Sequence, residues 1–387
     1  MSEINRRDAV TTVAAAAAIT AASALRPAGA QAAARIKFGV IGMNHGHIYG
    51  QCDSVIRGGG ELTKFHAVED DLAAAFQERY PNARRVRDER DILDDRQIKL
   101  VISSIIPVER APLGIRVMRA GKDYMADKPG ITTLEQLAEV RRVQAETGRI
   151  YSITYSERFE NHASVKAGEL IRQGVIGDVV QTAGFGPHRI IPEVRPAWFW
   201  DPSQYGGIIC DIGAHQMDQF LYYTGSTRAE VVAAQVGNFH NREHPEFQDF
   251  GDVMLRGDGG AGYVRLDWFT PRALPNWGDG RMTIIGSRGF IELRKYMDLG
   301  GRSGGSHLFL STDETTSEGV EVAGQPGVRY VDCSAVDLPY GRQVVDDVLN
   351  RTETAMPQTH AFLATELALR AQAMASRADA VSENALR

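Results

Sequence analysis

Three residue types that together move protons stand at telling places in the chain. Asp127-Lys128-Pro129 supplies an amine, and Asp211-Ile212-Gly213-Ala214-His215 supplies a carboxylate and an imidazole. The run Asp123 to Ala126 reads as a strand that Pro129 terminates, so Lys128 projects from the carboxyl edge, where open α/β sheets bind ligands. Asp211 and His215 are four residues apart and share one face of a helical turn, where a carboxylate can raise a ring's basicity and fix its tautomer. An ammonium beside a base is the equipment of general acid/base chemistry, which typically contributes about 10²–10⁴-fold. Taken singly, each piece also fits a plainer role: a solvated loop lysine, or a buried structural Asp–His pair.

A second constellation is the turn Gly42-Met43-Asn44-His45-Gly46-His47, which follows the apolar run ending at Ile41 and opens a helical pattern. Glycines let the backbone approach a pyrophosphate, and the unpaired N–H groups of a helix N-terminus attract it. The spacing departs from G-x-G-x-x-G, which would place glycines at Asn44 and His47, although asparagine tolerates a left-handed backbone. An ordinary tight turn is the alternative reading. Gly42, Asn44, His45, Gly46 and Lys128 form the expected cofactor contacts. Glu69, ending the second strand, is placed to accept hydrogen bonds from a ribose diol and to repel a ribose phosphate. That favours NAD, with NADP possible.

The elements that must position these groups alternate. Strand and helix patterns succeed one another from Ile36 through the strand Ile150 to Tyr155, with a helix from Leu134 to Thr147 capped by Thr132 or Thr133 and stopped by Gly148. A boundary falls near Tyr155. Beyond it come β-rich runs at Val231–Val236, Phe250–Leu255, Gly262–Phe269, Met282–Ile285 and Phe290–Leu293. Glycine turns separate them, as antiparallel or mixed pairing requires. A glycine-serine loop spans Gly300 to Ser306, and an Ala/Leu-rich helix is predicted from His360 to Ala378.

The chain has 387 residues, 43% hydrophobic and 24% charged, with a formal net charge of -6. This suits two packed domains and gives no electrostatic reason to bind nucleic acid. Arg6-Arg7, an alanine-rich stretch through Leu25 and small residues before Gln31 read as a cleavable twin-arginine signal over residues 1–34. Periplasmic location, a tightly held cofactor and no stable membrane insertion are the expectations. Cys52, Cys210 and Cys333 show no pairing pattern. The pairs His240/His244 and His45/His47 do not lie in a ligand-rich context, so no metal is expected.

Six segments in order carry a resemblance. They are Val40-Ile41-Gly42; Ala120-Gly121-Lys122 with Asp127-Lys128-Pro129; Glu157-Arg158-Phe159; Gly174-Val175-Ile176-Gly177-Asp178; Gly207 to His215; and Gly286-Ser287-Arg288-Gly289. The chain resembles the Gfo/Idh/MocA family, named for glucose-fructose oxidoreductase and inositol dehydrogenase. The resemblance implies a Rossmann parallel sheet in residues 35–155. It also implies an α+β substrate and oligomerisation domain in residues 156–387, with a large open, predominantly antiparallel sheet. It implies hydride transfer between a sugar or polyol hydroxyl carbon and a nicotinamide, with Lys128 stabilising the alkoxide, His215 as base and Asp211 orienting it. A homodimer or homotetramer is implied as well. Two departures are Asp127 in place of the family's glutamate, and Ile105 to Arg110 where the family has TP-x-x-x-H.

Substrate choice falls to the insert from Gly186 to Asp201. Arg158, His188, Arg195, Trp198 and Trp200, with Asp211 and His215, are the expected substrate contacts, since sugar rings stack on aromatic faces while their hydroxyls take polar ones. The tryptophans equally suit a core beneath the sheet. An alternative chemistry is a glycosidase that oxidises the sugar ring transiently with bound NAD; the run Asp211 to His215 follows the dehydrogenase pattern instead. A non-catalytic sugar sensor is a third reading, against which Lys128, Asp211 and His215 stand together.

Overall fold

The structure, a computed structural model, describes residues 35–380 apart from Thr315. The signal expected over residues 1–34 lies outside the described residues. The first half lays down β1 (Ile36–Ile41), α1 (His47–Arg57), β2 (Gly60–His66), α2 (Asp70–Arg79), β3 (Arg84–Arg85), α3 (Arg90–Leu93) and β4 (Ile98–Ser103). It continues with α4 (Pro107–Arg119), β5 (Asp123–Asp127), α5 (Leu134–Thr147) and β6 (Tyr151–Thr154). These strands form one sheet in the order β3-β2-β1-β4-β5-β6, and every pair in it is parallel. β4, β5 and β6 are buried almost throughout, as strands covered by helices on both faces must be. Of the two candidate caps for α5, Thr133 does the work: its hydroxyl accepts from Gln136 N–H at 3.1 Å, a contact worth about 1 kcal/mol.

The chain order reverses between β1 and β4, the two strands that started in opposite directions across the sheet. That switch point opens a crevice at the carboxyl ends of the strands. Gly42 leaves β1 there with φ of 74°, and a Cβ on it would meet the Ile105 side chain at 2.7 Å, so only glycine fits.

The second half comprises α6 (Ser156–Phe159), α7 (His162–Arg172), β7 (Val179–Pro187), α8 (Pro202–Tyr205), α9 (Ile208–Asp211), α10 (Gly213–Thr224), β8 (Ala229–Gly237), β9 (Phe250–Gly257) and β10 (Gly260–Asp267). After these come β11 (Arg281–Gly286), β12 (Gly289–Lys295), β13 (Ser306–Thr312), β14 (Val320–Val322), β15 (Gln325–Asp332), α11 (Tyr340–Asn350), α12 (Gln358–Met374) and β16 (Ser376–Arg377). Ten strands make a sheet ordered β14-β15-β13-β12-β11-β7-β10-β9-β8-β16. Its pairs are antiparallel except β7 with β10 and β8 with β16. One face buries Met282, Ile284, Ile291, Leu293, Leu308 and Leu310 against Ala163, Ala167 and Leu170 of α7. The open face leaves Val180, Val232, Met254, Ile285 and Phe290 exposed.

The boundary near Tyr155 coincides with the end of the parallel sheet, but the chain later crosses back over it. The Gln358 side chain accepts from Tyr151 N–H at 2.8 Å, and Arg351 bonds Asp123 at 2.6 Å. The predicted C-terminal helix ends at Met374 instead of Ala378, and its last residues enter the sheet as β16. All three cysteines are buried and free. Among the described residues no helix is long and apolar enough to cross a membrane.

Candidate active site

β5 runs out at Asp127 and delivers Lys128 to the crevice through a cis Lys128–Pro129 peptide. From the other domain, Gly206 and Gly207 turn the chain with φ of 91° and 86° into α9, which carries Asp211. The φ of Gly207 favours glycine, and a Cβ there would also push aside the Gln372 amide, 2.3 Å away. Lys128 Nζ and Asp211 Oδ1 meet at 2.9 Å, with 4% and 16% of the side chains exposed. Burial pushes the Asp211 carboxyl up, but Lys128 outweighs that and holds it below the ordinary carboxylate range.

His215, one turn further on α10, is 2% exposed. Its Nδ1 has no hydrogen-bond partner. The helical spacing of Asp211 and His215 is present, but Asp211 is engaged by the Lys128 ammonium, a stronger partner than a neutral ring. Burial lowers the His215 pKa to about 4, with Glu157 acting in the opposite direction and Lys128 adding to the drop. The ring is therefore neutral at physiological pH and able to accept a proton. His188 lies in the same field: burial and Lys128 bring its pKa to about 3, while Glu157 and Asp211 oppose them.

The glycine turn is built differently from the fingerprint. Asn44 does not use the left-handed region; its side chain instead donates to Glu69 Oε1 at 2.7 Å, fixing that carboxylate beside the turn. Gly46 caps α1 without a side chain, and nothing stands within 4 Å of where its Cβ would be. A glycine turn open to solvent, a helix N-terminus and a braced carboxylate at the end of β2 fit a dinucleotide.

The pair His45/His47, isolated in the sequence, acquires a third group in the fold. Asp127 takes His47 Nδ1 at 2.9 Å, His45 Nδ1 at 3.2 Å and Arg110 Nη2 at 3.2 Å. Burial would push the Asp127 carboxyl up, but His47, Arg110 and His45 hold it well below the usual range. Burial and the neighbouring His47 in turn lower the His45 pKa to about 4. Arg110, 1% exposed, also donates to the Lys128 and Pro129 carbonyls, so it braces the lysine loop in place of the family's histidine segment.

The substrate insert divides. His188 packs on Trp277 and Trp268, with ring centroids 4.3 and 5.4 Å apart. The Arg195 guanidinium lies over Phe199 and Trp268, and burial lowers its pKa to about 10. Trp200 stacks on His244 at 3.8 Å and packs on Phe247, the core role open to it from the sequence, while Trp198 sits half-buried against Phe199. Arg158 Nε and Nη2 are both taken by Asp218 at 2.7 Å, beneath Phe159 and Tyr222, so it braces α6 on α10.

Sequence reasoning missed Glu157, Lys295, Trp268 and Trp277. Lys295 ends β12 fully buried, with Nζ 2.9 Å from Glu157 Oε2. Its only signal was a lysine closing an otherwise inward-facing strand position. Buried polar atoms without partners include Glu157 Oε1, His215 Nδ1, Arg195 Nε and Trp268 Nε1. Such atoms are rare in folded proteins, and around a cleft they mark where a ligand or water is needed.

A family model described as the GFO/IDH/MocA C-terminal domain matches residues 164–292. A solved structure from Erwinia carotovora atroseptica SCRI1043, named as an oxidoreductase, is 43% identical with TM-score 0.83, covering 89% of this chain and 99% of that one. Levoglucosan dehydrogenase in complex with NADH and levoglucosan shares the fold at 17% identity and TM-score 0.69, over 87% of this chain and 97% of that one. The scyllo-inositol 2-dehydrogenase (NADP(+)) IolW of Bacillus subtilis (strain 168) is 28% identical over 177 residues, 46% of this chain and 48% of that enzyme. The chain spans about half the length of the curated relatives it matches. With the C-terminal domain matched and a 43% identical oxidoreductase aligned over nearly its full length, the chain belongs to the Gfo/Idh/MocA family of oxidoreductases.

Proposed function

We propose that the protein interconverts a hydroxyl and a carbonyl on a sugar or polyol, using a nicotinamide cofactor, NAD before NADP. The observation that carries this reading is the Lys128–Asp211 pair, which joins the two domains at the crevice with a neutral His215 on the next helical turn. A bound nicotinamide would supply the hydride acceptor; Gly42, Asn44, Gly46 and Glu69 are the residues to hold its nucleotide. In alcohol oxidation His215 takes the hydroxyl proton. Lys128 donates to the oxygen as negative charge develops, and Asp211 keeps the ammonium aimed. His188, Arg195 and the half-buried Trp198 line the substrate side, an apolar wall with few polar groups. The relatives named for levoglucosan and scyllo-inositol support a polyhydroxylated substrate class.

The open apolar face of the ten-stranded sheet supports pairing of subunits, as a dimer or tetramer. The twin arginines support export to the periplasm. The deciding experiment denatures the purified protein, identifies any released nucleotide, and screens sugars and polyols, including levoglucosan and scyllo-inositol, for change in reduced-nicotinamide absorbance. NAD-linked reduction that Lys128→Ala abolishes is the expected result. No nucleotide binding at millimolar NAD or NADP would overturn the proposal.

A further inference from the structure

The reading of His215 as a base leaves open what stabilises the charge it gains, because a nearby carboxylate favours the imidazolium and Asp211 is engaged by Lys128. Resting on that reading, we propose that Glu157 is this carboxylate: a positioning residue, paired with Lys295, that stabilises the imidazolium form of His215.

The geometry is specific. Glu157 sits on α6 with 1% of the residue exposed, and its Oε2 accepts from Lys295 Nζ at 2.9 Å, Gln216 Nε2 at 3.0 Å and Gln219 Nε2 at 3.3 Å. Gln219 Nε2 also donates to the His215 carbonyl at 2.9 Å, tying the carboxylate to the turn that carries the ring. Lys295 reaches Gln219 Oε1 as well, at 2.5 Å. Three elements, α6, α10 and β12, thus converge on one buried carboxylate oxygen. The other oxygen, Oε1, has no partner, and neither does His215 Nδ1. A buried carboxylate oxygen left without a partner is uncommon and calls for an explanation.

The groups acting on the His215 ring come from every side. Glu157 on α6 favours the charged ring, whereas Lys128 after β5, His47 on α1 and Lys295 on β12 disfavour it; the Tyr155 ring lies edge-on at 6.3 Å. Burial pushes the Glu157 carboxyl up, but Lys295 outweighs it and keeps it ionised across the working pH range.

The test is a histidine-selective NMR titration of the full protein, needing neither nucleotide nor substrate. Ten histidines are present, and His215→Asn identifies the relevant signal. Glu157→Gln should move the His215 midpoint to lower pH by roughly one unit, and Lys295→Met, which leaves the buried Glu157 without its counter-charge, should lower it as well. Loosened packing would instead let both variants drift toward the ordinary value. An unmoved or raised midpoint in Glu157→Gln overturns the proposal; should that variant fail to fold, an unmoved or raised midpoint in Lys295→Met does so. This outcome is independent of nicotinamide binding, so it separates failure of the coupling from failure of the oxidoreductase reading. Once a substrate is in hand, Glu157→Gln should lower kcat about tenfold with KM nearly unchanged.

Discussion

The Lys128 ammonium reaches across the domain boundary to lie 2.9 Å from Asp211 Oδ1, in a site where both side chains are largely removed from water. Breaking such a pair strands a charge, at a cost of about 3–5 kcal/mol where burial is complete, whereas replacing both partners leaves none. Lys128→Met alone should therefore lose stability and turnover together. Lys128→Met with Asp211→Asn should recover most of the stability but no turnover. Urea unfolding beside a rate assay distinguishes the two, and activity in the double variant would remove Lys128 from the reaction.

Arg158 and Asp218 form an enclosed ion pair between α6 and α10, with 9% and 0% of the side chains exposed and His360 on the second side of Asp218 at 2.8 Å. Arg158→Met is expected to destabilise by about 3–5 kcal/mol. It should leave the KM for nucleotide and sugar within about twofold, because the guanidinium is spent on Asp218. A large KM change in a stably folded variant would place Arg158 in the substrate set.

Much of this arrangement was legible in the sequence, and the failures share a cause. Strands β1, β4 and β5 are short apolar runs punctuated by Gly42, Ser104 and Pro129, so local pattern located Lys128 at a strand's carboxyl edge. Asp211 and His215 were correctly placed on adjacent turns, but the partner of Asp211 lies 83 residues away in the other domain, which no local spacing encodes. The same holds for Arg158, whose acceptor is 60 residues on, and for Glu157, whose lysine is 138 residues on. Strands β14 and β15 escaped notice because they are mostly exposed at the sheet edge and lack apolar alternation. The helix α11 is interrupted in pattern by Gly341-Arg342-Gln343.

Acid should weaken the fold in a window set by the buried histidines. His215 titrates at 6.5 when unfolded and at about 4 in the fold, so the unfolded chain binds more protons between those values. The stability its neutral form contributes is complete above pH 6.5 and is lost as pH falls toward 4, up to about 3 kcal/mol in all. His188 acts in the same direction, with a folded value of about 3. Urea midpoints measured from pH 7 to 4 should fall steadily, and His215→Asn should reduce the slope by one proton's worth. A wild-type midpoint that does not change over this range would contradict the burial argument.

Cofactor choice turns on Glu69. Asn44 holds one carboxylate oxygen at 2.7 Å, which fixes the group at the end of β2 beside the Gly42 turn and leaves the other oxygen free for a ribose diol. A fixed negative charge there repels a 2′-phosphate, so binding should favour NAD over NADP. Glu69→Ala removes both the acceptor and the repulsion; NAD affinity should fall about tenfold while NADP affinity rises. Asn44→Ala keeps the charge but frees its position, so NAD should weaken only severalfold and the preference should persist. Fluorescence titration of both nucleotides against the three proteins tests the argument directly. Equal loss of NAD and NADP in Glu69→Ala would show that the carboxylate braces the turn without reading the ribose.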